Sequence, residues 1–373
     1  MANEIFTLEA LNAKHGDALL LHYGTKKKPR VILIDGGPTG VYRSSIRPRF
    51  KELAETRGVT PLIVEHVFVT HLDSDHIRGV LDFAIDIKKG DAPAKSLSFW
   101  FNTFSDAMNE LPPETAKLVK KAPTAVLASV DAVTASVAEG QSLRDTVRVL
   151  HAAVNGGSGK LLVADKKGVK LDVSSDLSVT LVCPSKEHLR KLALDWKKKA
   201  KPTQAETSAY LDNSVYNLSS LVMIVAAKNA AGKKRRMLLT GDARGDHVVA
   251  GLDAAGFLDS KGKAHFDILK VGHHGSDRDF EAQFFKDITA DHYVISADGR
   301  FENPSQDVLE WIGEGATGDY KICMTNESRT GFPALEKNIA GALKKVKRLK
   351  GHLVFRDPQA LSVRVDLFDA TGF

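Results

Sequence analysis

Apolar residues in this chain fall mostly in short runs of strand length, and nearly every run stops abruptly at a polar or glycine-rich turn. Residues 5–11 and 17–23 read as two strands around the polar turn Lys14-His15-Gly16-Asp17. Val31-Ile32-Leu33-Ile34 is a buried strand that ends at Asp35-Gly36-Gly37-Pro38, where paired glycines allow a sharp turn and close backbone approach. Pro61 opens a strand that leads to His71. Further strands are predicted at Leu177–Cys183, Ser219–Ala226, Met237–Thr240, Phe266–Val271, 291–297 and 320–325, with a terminal hairpin of Leu353–Phe355 and Ala360–Leu367.

Helical spacing alternates with these runs. Ile77, Val80, Leu81 and Ile85 recur at i, i+3, i+4 and i+8, and helices are also predicted over Tyr42–Thr56, Lys186–Lys199, Ser305–Ile312 and Leu335–Val346. From Glu114 to about Val154 the chain is alanine-rich and helical, with Gly140 as the expected break and Asn155–Gly159 as the terminating turn. Two β-rich portions flanking helices fit an α+β fold in which two sheets pack face to face with helices outside. The domain expectation is a single unit over 1–373 carrying a helical insertion at about 105–155.

Composition narrows the class. With 373 residues and 43% hydrophobic content the chain can bury a large core. No basic n-region leads into an apolar stretch at the start, and the most apolar run, Leu221–Ala227, is far too short to span a bilayer. Two cysteines, Cys183 and Cys323, exclude a disulfide scaffold and a paired-cysteine zinc site. A cytoplasmic protein without a membrane partner is the expectation; the oligomeric state is not legible. The net charge of +6 sits in runs at Lys26–Lys28, Lys197–Lys201, Lys233–Arg236 and Lys344–Lys350. Such runs admit nucleic acid as a partner, although no aromatic residues interleave with them as a base-stacking surface requires.

Candidate chemistry is concentrated where apolar runs stop. After Val67-Phe68-Val69-Thr70, two histidines and two aspartates follow within six residues: His71, Asp73, Asp75 and His76. Imidazole nitrogen and carboxylate oxygen at this density are a metal-site composition. Asp17, Asp35, Asp242 and the pair His273-His274 also stand at the ends of runs. A lone strand-end aspartate is usually a turn former, which is the plainer reading of Asp17. Together the positions supply ligands for one or two ions.

Thr70-His71-Leu72-Asp73-Ser74-Asp75-His76 resembles the signature loop of the metallo-β-lactamase superfamily, whose usual form is His-x-His-x-Asp-His. Asp73 in the second ligand place, with Leu269-Lys270-Val271-Gly272-His273-His274-Gly275-Ser276, is similar to the ComEC-type branch, which includes the hydrolase-like domain of DNA-uptake channel proteins and stand-alone relatives. His15-Gly16-Asp17-Ala18, Ile34-Asp35-Gly36-Gly37, Asn217 with Ser220, Leu239-Thr240-Gly241-Asp242, and Ser296 with Asp298, Gly299 and Pro304-Ser305 keep the same order.

The resemblance implies a four-layer αββα sandwich. It also implies His71 and Asp73 on one metal, Asp75 and His76 on a second, Asp242 bridging, and His274 completing the second site. Asp75 and His273 would serve catalysis, His273 facing the phosphate or leaving group, although the sequence does not separate the roles of His273 and His274. Asp35 would orient the histidines; Asn217 and Ser220, with Asp17, would support or line the site. Two departures stand out. No convincing further histidine occurs between the loop and Asp242, His151 and His188 reading as surface positions, and this leaves the first metal place weak or water-completed. Asn303 replaces a histidine that similar proteins often carry before the proline.

An oxygen-rich ligand set favours a harder ion, so Mn²⁺ or Mg²⁺ are expected beside Zn²⁺. The leading functional expectation is a metal-dependent phosphodiesterase or nuclease. The alternatives are hydrolysis of a small ester, lactam, thioester or phosphocholine-like substrate, and a degenerate, non-catalytic binding module.

Overall fold

The computed structural model describes residues 4–103, 106, 131–186, 220–327 and 329–372. The expected helix over Lys186–Lys199, beyond Lys186 itself, falls outside them together with His188, Lys197–Lys201 and Asn217, as does the stretch from Glu114 to residue 130.

One sheet has seven strands: β1 (Ile5–Leu11), β2 (Leu19–Thr25), β3 (Lys28–Ile34), β5 (His66–Phe68), β7 (Ser98–Trp100), β8 (Ala153–Val154) and β17 (Ser362–Asp366), in the order β17-β1-β2-β3-β5-β7-β8. The other has eight: β9 (Val169–Leu171), β10 (Ser178–Cys183), β11 (Val222–Lys228), β12 (Lys234–Leu239), β13 (Ala264–Lys270), β14 (Ile288–Ile295), β15 (Lys321–Met324) and β16 (Leu353–Phe355), in the order β16-β15-β14-β13-β12-β11-β10-β9. Both sheets start as antiparallel meanders and continue as parallel strands. A short parallel pair, β4 (Leu62–Ile63) with β6 (Ala94–Lys95), stands apart.

Alternation within the strands sorts the core into three layers. Leu19, Leu21, Ile32, Ile34 and Phe68 of the first sheet meet Met223, Val225, Leu239 and Ile268 of the second between the sheets. The intervening residues Leu20, Val31, Leu33 and Val67 face outward to helices. Strands buried on both faces explain why the runs read as continuous rather than alternating. Helices α1 (Arg47–Arg57), α2 (Ser74–Lys89) and α3 (Asp131–Val149) follow strands of the first sheet. Helices α4 (Gly245–Ala254), α5 (Ala282–Asp287), α6 (Gln306–Gly315) and α7 (Pro333–Lys345) follow those of the second, whose outer face packs with them in a separate cluster. This is the α+β, four-layer αββα sandwich. No described helix is long and apolar enough to cross a membrane.

Three local expectations are corrected. Helix α3 runs through Gly140 without a break; a Cβ there would lie 3.2 Å from the Leu72 side chain, so the glycine serves close packing. Leu353–Phe355 and Ala360–Leu367 are not a hairpin: β16 joins β15 in one sheet and β17 pairs with β1 in the other. Buried Arg356 makes that crossing possible by donating to the carbonyls of Thr325 (2.7 Å), Asp357 (2.8 Å) and Pro358 (3.1 Å). After Pro61 the chain pairs first with β6 and only then enters the main sheet at β5, so no single strand runs to His71.

Candidate metal centre

Both sheets deliver their polar strand ends to one edge of the sandwich. β5 ends at Phe68, and the following loop is held by Val69 N–H donating to Trp100 O and by Leu221 N–H donating to Thr70 O. His71 and Asp73 lie on this loop, whereas Asp75 and His76 stand in the first turn of α2. That turn docks directly on the bend after β3. A Cβ on Gly79 would sit 1.9 Å from Gly36 O, and one on Gly36 would sit 2.2 Å from Val80 N. Only glycine at both positions lets Gly36 N–H donate to His76 O (2.7 Å) and Gly79 N–H to Gly37 O (3.0 Å).

Docking in this way sets His76 against Asp35. Asp35 is buried at φ 60° and accepts from Thr70 N–H (2.7 Å), Thr70 Oγ1 (2.7 Å) and His76 Nδ1 (2.9 Å). Because the Thr70 hydroxyl proton is spent on Asp35, its oxygen accepts from His71 Nδ1 at 3.1 Å. One carboxylate thereby fixes two imidazoles with Nδ1 as the donor and Nε2 left to face the centre.

The second sheet completes the cluster. Asp242 follows β12, and His273 and His274 form the turn after β13, both with non-glycine left-handed backbones at φ 45° and 55°. Backbone strain of this kind is stored where surroundings enforce it, commonly at functional sites. His274 Nδ1 donates to Ser296 O at 3.0 Å, which aims its Nε2 inward. His274 Nε2 lies 3.3 Å from His76 Nε2, 3.5 Å from Asp242 Oδ2 and 3.3 Å from Asp75 Oδ2. His76 Nε2 is 3.3 Å from Asp242 Oδ1, and His71 Nε2 is 3.7 Å from Asp242 Oδ2 and 3.5 Å from Asp73 Oδ2.

These contacts test the fit of a cation. With each Nδ1 proton committed to an acceptor, the two Nε2 atoms meet at 3.3 Å and need a proton or a cation between them. Two nitrogens about 2.0–2.1 Å from one tetrahedral ion lie about 3.3–3.4 Å apart. His71 Nε2, Asp242 Oδ1 and Asp17 Oδ1 are buried with no hydrogen-bond partner among the described residues. Asp17, His76, Asp242 and His274 each offer one ligand atom within 4.8 Å of the others. The residues present fit a divalent ion.

Electrostatics point the same way. Burial alone would push His76 and His274 towards neutrality, yet Asp242 with Asp35 and Asp75 around the first, and Asp242 with Asp17 around the second, raise both well above the ordinary imidazole range. Asp242, despite burial, is held well below the usual carboxylate range by His76, His274, His71 and His273. The cluster is a buried seat for positive charge, and protons fill it where no metal ion does.

The structure brings His71, Asp73, Asp75, His76, Asp242, His273, His274, Asp35, Asp17 and Ser220 to this edge. Asp17 sits nearer the centre than its plain turn reading implied. It forms a buried ion pair with Lys270 Nζ at 2.7 Å, and Lys270 also donates to Val271 O. Asp73 lies at the more open rim, its side chain 31% exposed. Buried Ser220 keeps its Oγ without a hydrogen-bond partner among the described residues. His151 is exposed, in keeping with its surface reading.

Two contributors escaped the sequence reading. Asp279 grips His273 Nδ1 in a short hydrogen bond, leaving His273 Nε2 4.0 Å from Asp242 Oδ2. A carboxylate six residues after His273 was the available signal. Thr70 links Asp35 to His71, a role set by hydroxyl geometry. Beside the centre opens a cleft of about 830 Å³, bordered by Asp75, His273, His274, Arg278, Phe301, Asn303 and Lys337 among others.

Residues 26–185 match the family model described as Metallo-beta-lactamase superfamily. The matched span, less than half of the chain, carries Asp35 and the loop from His71 to His76. No curated protein matches in sequence. Among solved structures, the metallo-β-lactamase SMB-1 bound to 2-mercaptoethanesulfonate is similar at 14% identity over 74% of this chain and 82% of that chain, with a TM-score of 0.31.

Proposed function

We propose that this chain is a metal-dependent hydrolase of phosphodiesters, of the ComEC-type branch. The observation that carries the metal reading is the His76–His274 pair, two imidazole nitrogens 3.3 Å apart whose other nitrogens each face a hydrogen-bond acceptor. His71, Asp73, Asp75, His76, Asp242 and His274 would hold one or two divalent ions, Mn²⁺ or Zn²⁺ before Mg²⁺. Bound there, such an ion supplies Lewis-acid polarisation of the phosphoryl group and an acidified water.

The chain's own groups do the rest. Asp35 and Ser296 O hold the imidazoles with Nε2 facing the centre. His273, half-buried at the mouth of the cleft, keeps Nδ1 on Asp279 and presents Nε2 to the substrate side. Burial opposes its protonation, but Asp242 and Asp279 raise its affinity for protons. A proton on His273 Nε2 is thus placed to pass to the leaving oxygen as the P–O bond breaks. The oxygen-rich ligand set, with Asp73 where the superfamily usually has histidine, is what favours phosphate over lactam chemistry.

A second reading, hydrolysis of a small ester, has its own support. The cleft is of small-molecule size, and Asp277, Glu302 and Asp307 on its walls oppose a long polyanion. Moreover, the basic runs at Lys26–Lys28 and Lys233–Arg236 occupy the starts of β3 and β12, the far ends from Asp35 and Asp242.

The deciding experiment strips the protein of metal, reloads it with Mn²⁺, Mg²⁺ or Zn²⁺, and offers plasmid DNA, single-stranded DNA, RNA, bis-p-nitrophenyl phosphate and p-nitrophenyl acetate. Phosphodiester cleavage restored by metal and lost in His274→Ala is expected. Turnover of the carboxylic ester alone refutes the phosphodiester reading. If nothing is turned over and Asp75→Ala leaves the metal content unchanged, the hydrolase reading fails.

A further inference from the structure

We infer that Phe301 forms a subsite for a planar aromatic group carried by the substrate, a nucleobase or similar arene attached to the phosphoester. The inference rests on the phosphoester reading above. Phe301 is 64% exposed, the largest exposure among the large apolar side chains open to solvent in the described residues. Single exposed apolar residues are ordinary on protein surfaces. This one borders the cleft whose inner end is Asp75, His273 and His274.

Phe301 is also held in place. Its loop is fastened by Arg300 N–H to Asp298 Oδ1 (2.9 Å), Glu302 N–H to Gly299 O (3.1 Å), Ser305 N–H to Gly275 O (2.9 Å), and Asn338 Nδ2 to Glu302 O (2.8 Å) and Pro304 O (3.1 Å). Glu302 takes a left-handed φ of 65°, a conformation a glutamate adopts only where its surroundings impose it. His15, two residues before Asp17, packs edge-on against the Phe301 ring with centroids 5.1 Å apart, so the aromatic rim continues into the turn that reaches the metal centre. Arg300 lies 5.8 Å from the ring centroid.

A rigid, exposed ring beside a phosphate-sized polar centre offers the stacking surface that the basic runs lack. Asn303 puts an amide group in the same cleft, and Asn338, its NH₂ spent on Glu302 O and Pro304 O, keeps Oδ1 to accept from the polar edge of a base. The carboxylates of Asp277, Glu302 and Asp307 disfavour further phosphates, whereas Arg278 and Lys337 can meet one. The cleft therefore suits one phosphoester unit with one neutral aromatic neighbour.

The test measures equilibrium binding by calorimetry to the Mn²⁺-loaded protein, using AMP, ribose 5-phosphate, phenyl phosphate and adenosine as probes. Wild type and Phe301→Ala, Phe301→Leu and Phe301→Trp variants are compared; an exposed position lets each fold. AMP is expected to bind roughly tenfold or more tightly than ribose 5-phosphate. Phe301→Ala should erase that preference and Phe301→Leu reduce it, while Phe301→Trp keeps it. Phenyl phosphate matching AMP assigns the subsite to arenes in general; a preference for AMP alone assigns it to nucleobases. Equal binding of AMP and ribose 5-phosphate by wild type overturns the subsite, as does an equal loss of both in Phe301→Ala. Adenosine binding as tightly as AMP, with the preference still dependent on Phe301, keeps the subsite and refutes the phosphoester reading instead.

Discussion

Replacing Asp35 by asparagine changes no volume, yet it should reverse the protons on two metal-facing imidazoles. In the native arrangement the carboxylate only accepts: from Thr70 N–H, from the Thr70 hydroxyl and from His76 Nδ1. An asparagine can satisfy Thr70 N–H with its oxygen, but its NH₂ then occupies the place of Oδ2 and donates. His76 Nδ1 must become an acceptor, which moves the ring proton to Nε2, where it faces Asp242 and His274 instead of offering a lone pair. The Thr70 hydroxyl, released from Asp35, turns its proton to His71 Nδ1, and His71 Nε2 acquires a proton in the same way.

Losing one such supporting group costs about 10–100-fold in metal affinity. With two imidazoles reversed, the upper end applies: about 100-fold, or about 2.7 kcal/mol. Chelator-competition titration of Mn²⁺ or Zn²⁺ measures the loss, and imidazole ¹⁵N shifts of the Zn²⁺-loaded protein report which ring nitrogen carries the proton. Asp35→Asn binding metal within threefold of wild type, or keeping both rings protonated at Nδ1, would refute the proton chain.

Two further outcomes test the electrostatics. His76 and His274 hold protons well above the ordinary imidazole range when no cation is present, so metal affinity should fall as pH falls, and binding should still release protons at pH 7.5; a binding enthalpy independent of buffer ionisation contradicts this. Glu9, buried between β1 and α1, keeps its charge despite burial because His22 and Arg49 draw its pKa from 4.5 to about 2. The ionised form therefore adds about 3 kcal/mol above pH 4.5 that is lost as pH falls from 4.5 towards 2. In urea melts of the metal-free protein, Glu9→Gln should be less stable than wild type at pH 7 and converge on it in acid; a constant difference across that window rules the mechanism out.

The parts of the site that were legible from sequence share one trait: a polar residue soon after an apolar run stops. His71, Asp242 and His274 lie on the turns that follow strands, and Asp75 and His76 in the helix turn after such a loop, because a strand end is where a buried chain first reaches a shared edge. What was not legible depends on distance across the fold. His76 and His274 are 198 residues apart in sequence, and their 3.3 Å approach exists only once both sheets pack. Asp17 read as a turn former because its partner, Lys270, lies on the other sheet. Gly140 read as a helix break because its neighbour, Leu72, belongs to a different element. The terminal strands read as a hairpin because sequence proximity says nothing about which sheet has an open edge.

That division also accounts for why the centre is buried yet charged. The first sheet brings Asp17, Asp35, His71, Asp75 and His76, and the second brings Asp242, His273, His274 and Lys270. Each half alone would leave carboxylates or imidazoles unpaired in an apolar interior, a costly state for any single group. Closing the sandwich sets the carboxylates of one half against the imidazoles of the other, with Asp242 among four histidines and His274 between Asp17, Asp75 and Asp242. A lysine at 1% exposure is tolerated for the same reason, its charge matched by Asp17. What pairing within the protein leaves over is a set of inward-facing lone pairs at His71, Asp17 and Asp242, which a divalent cation satisfies and an apolar side chain would not.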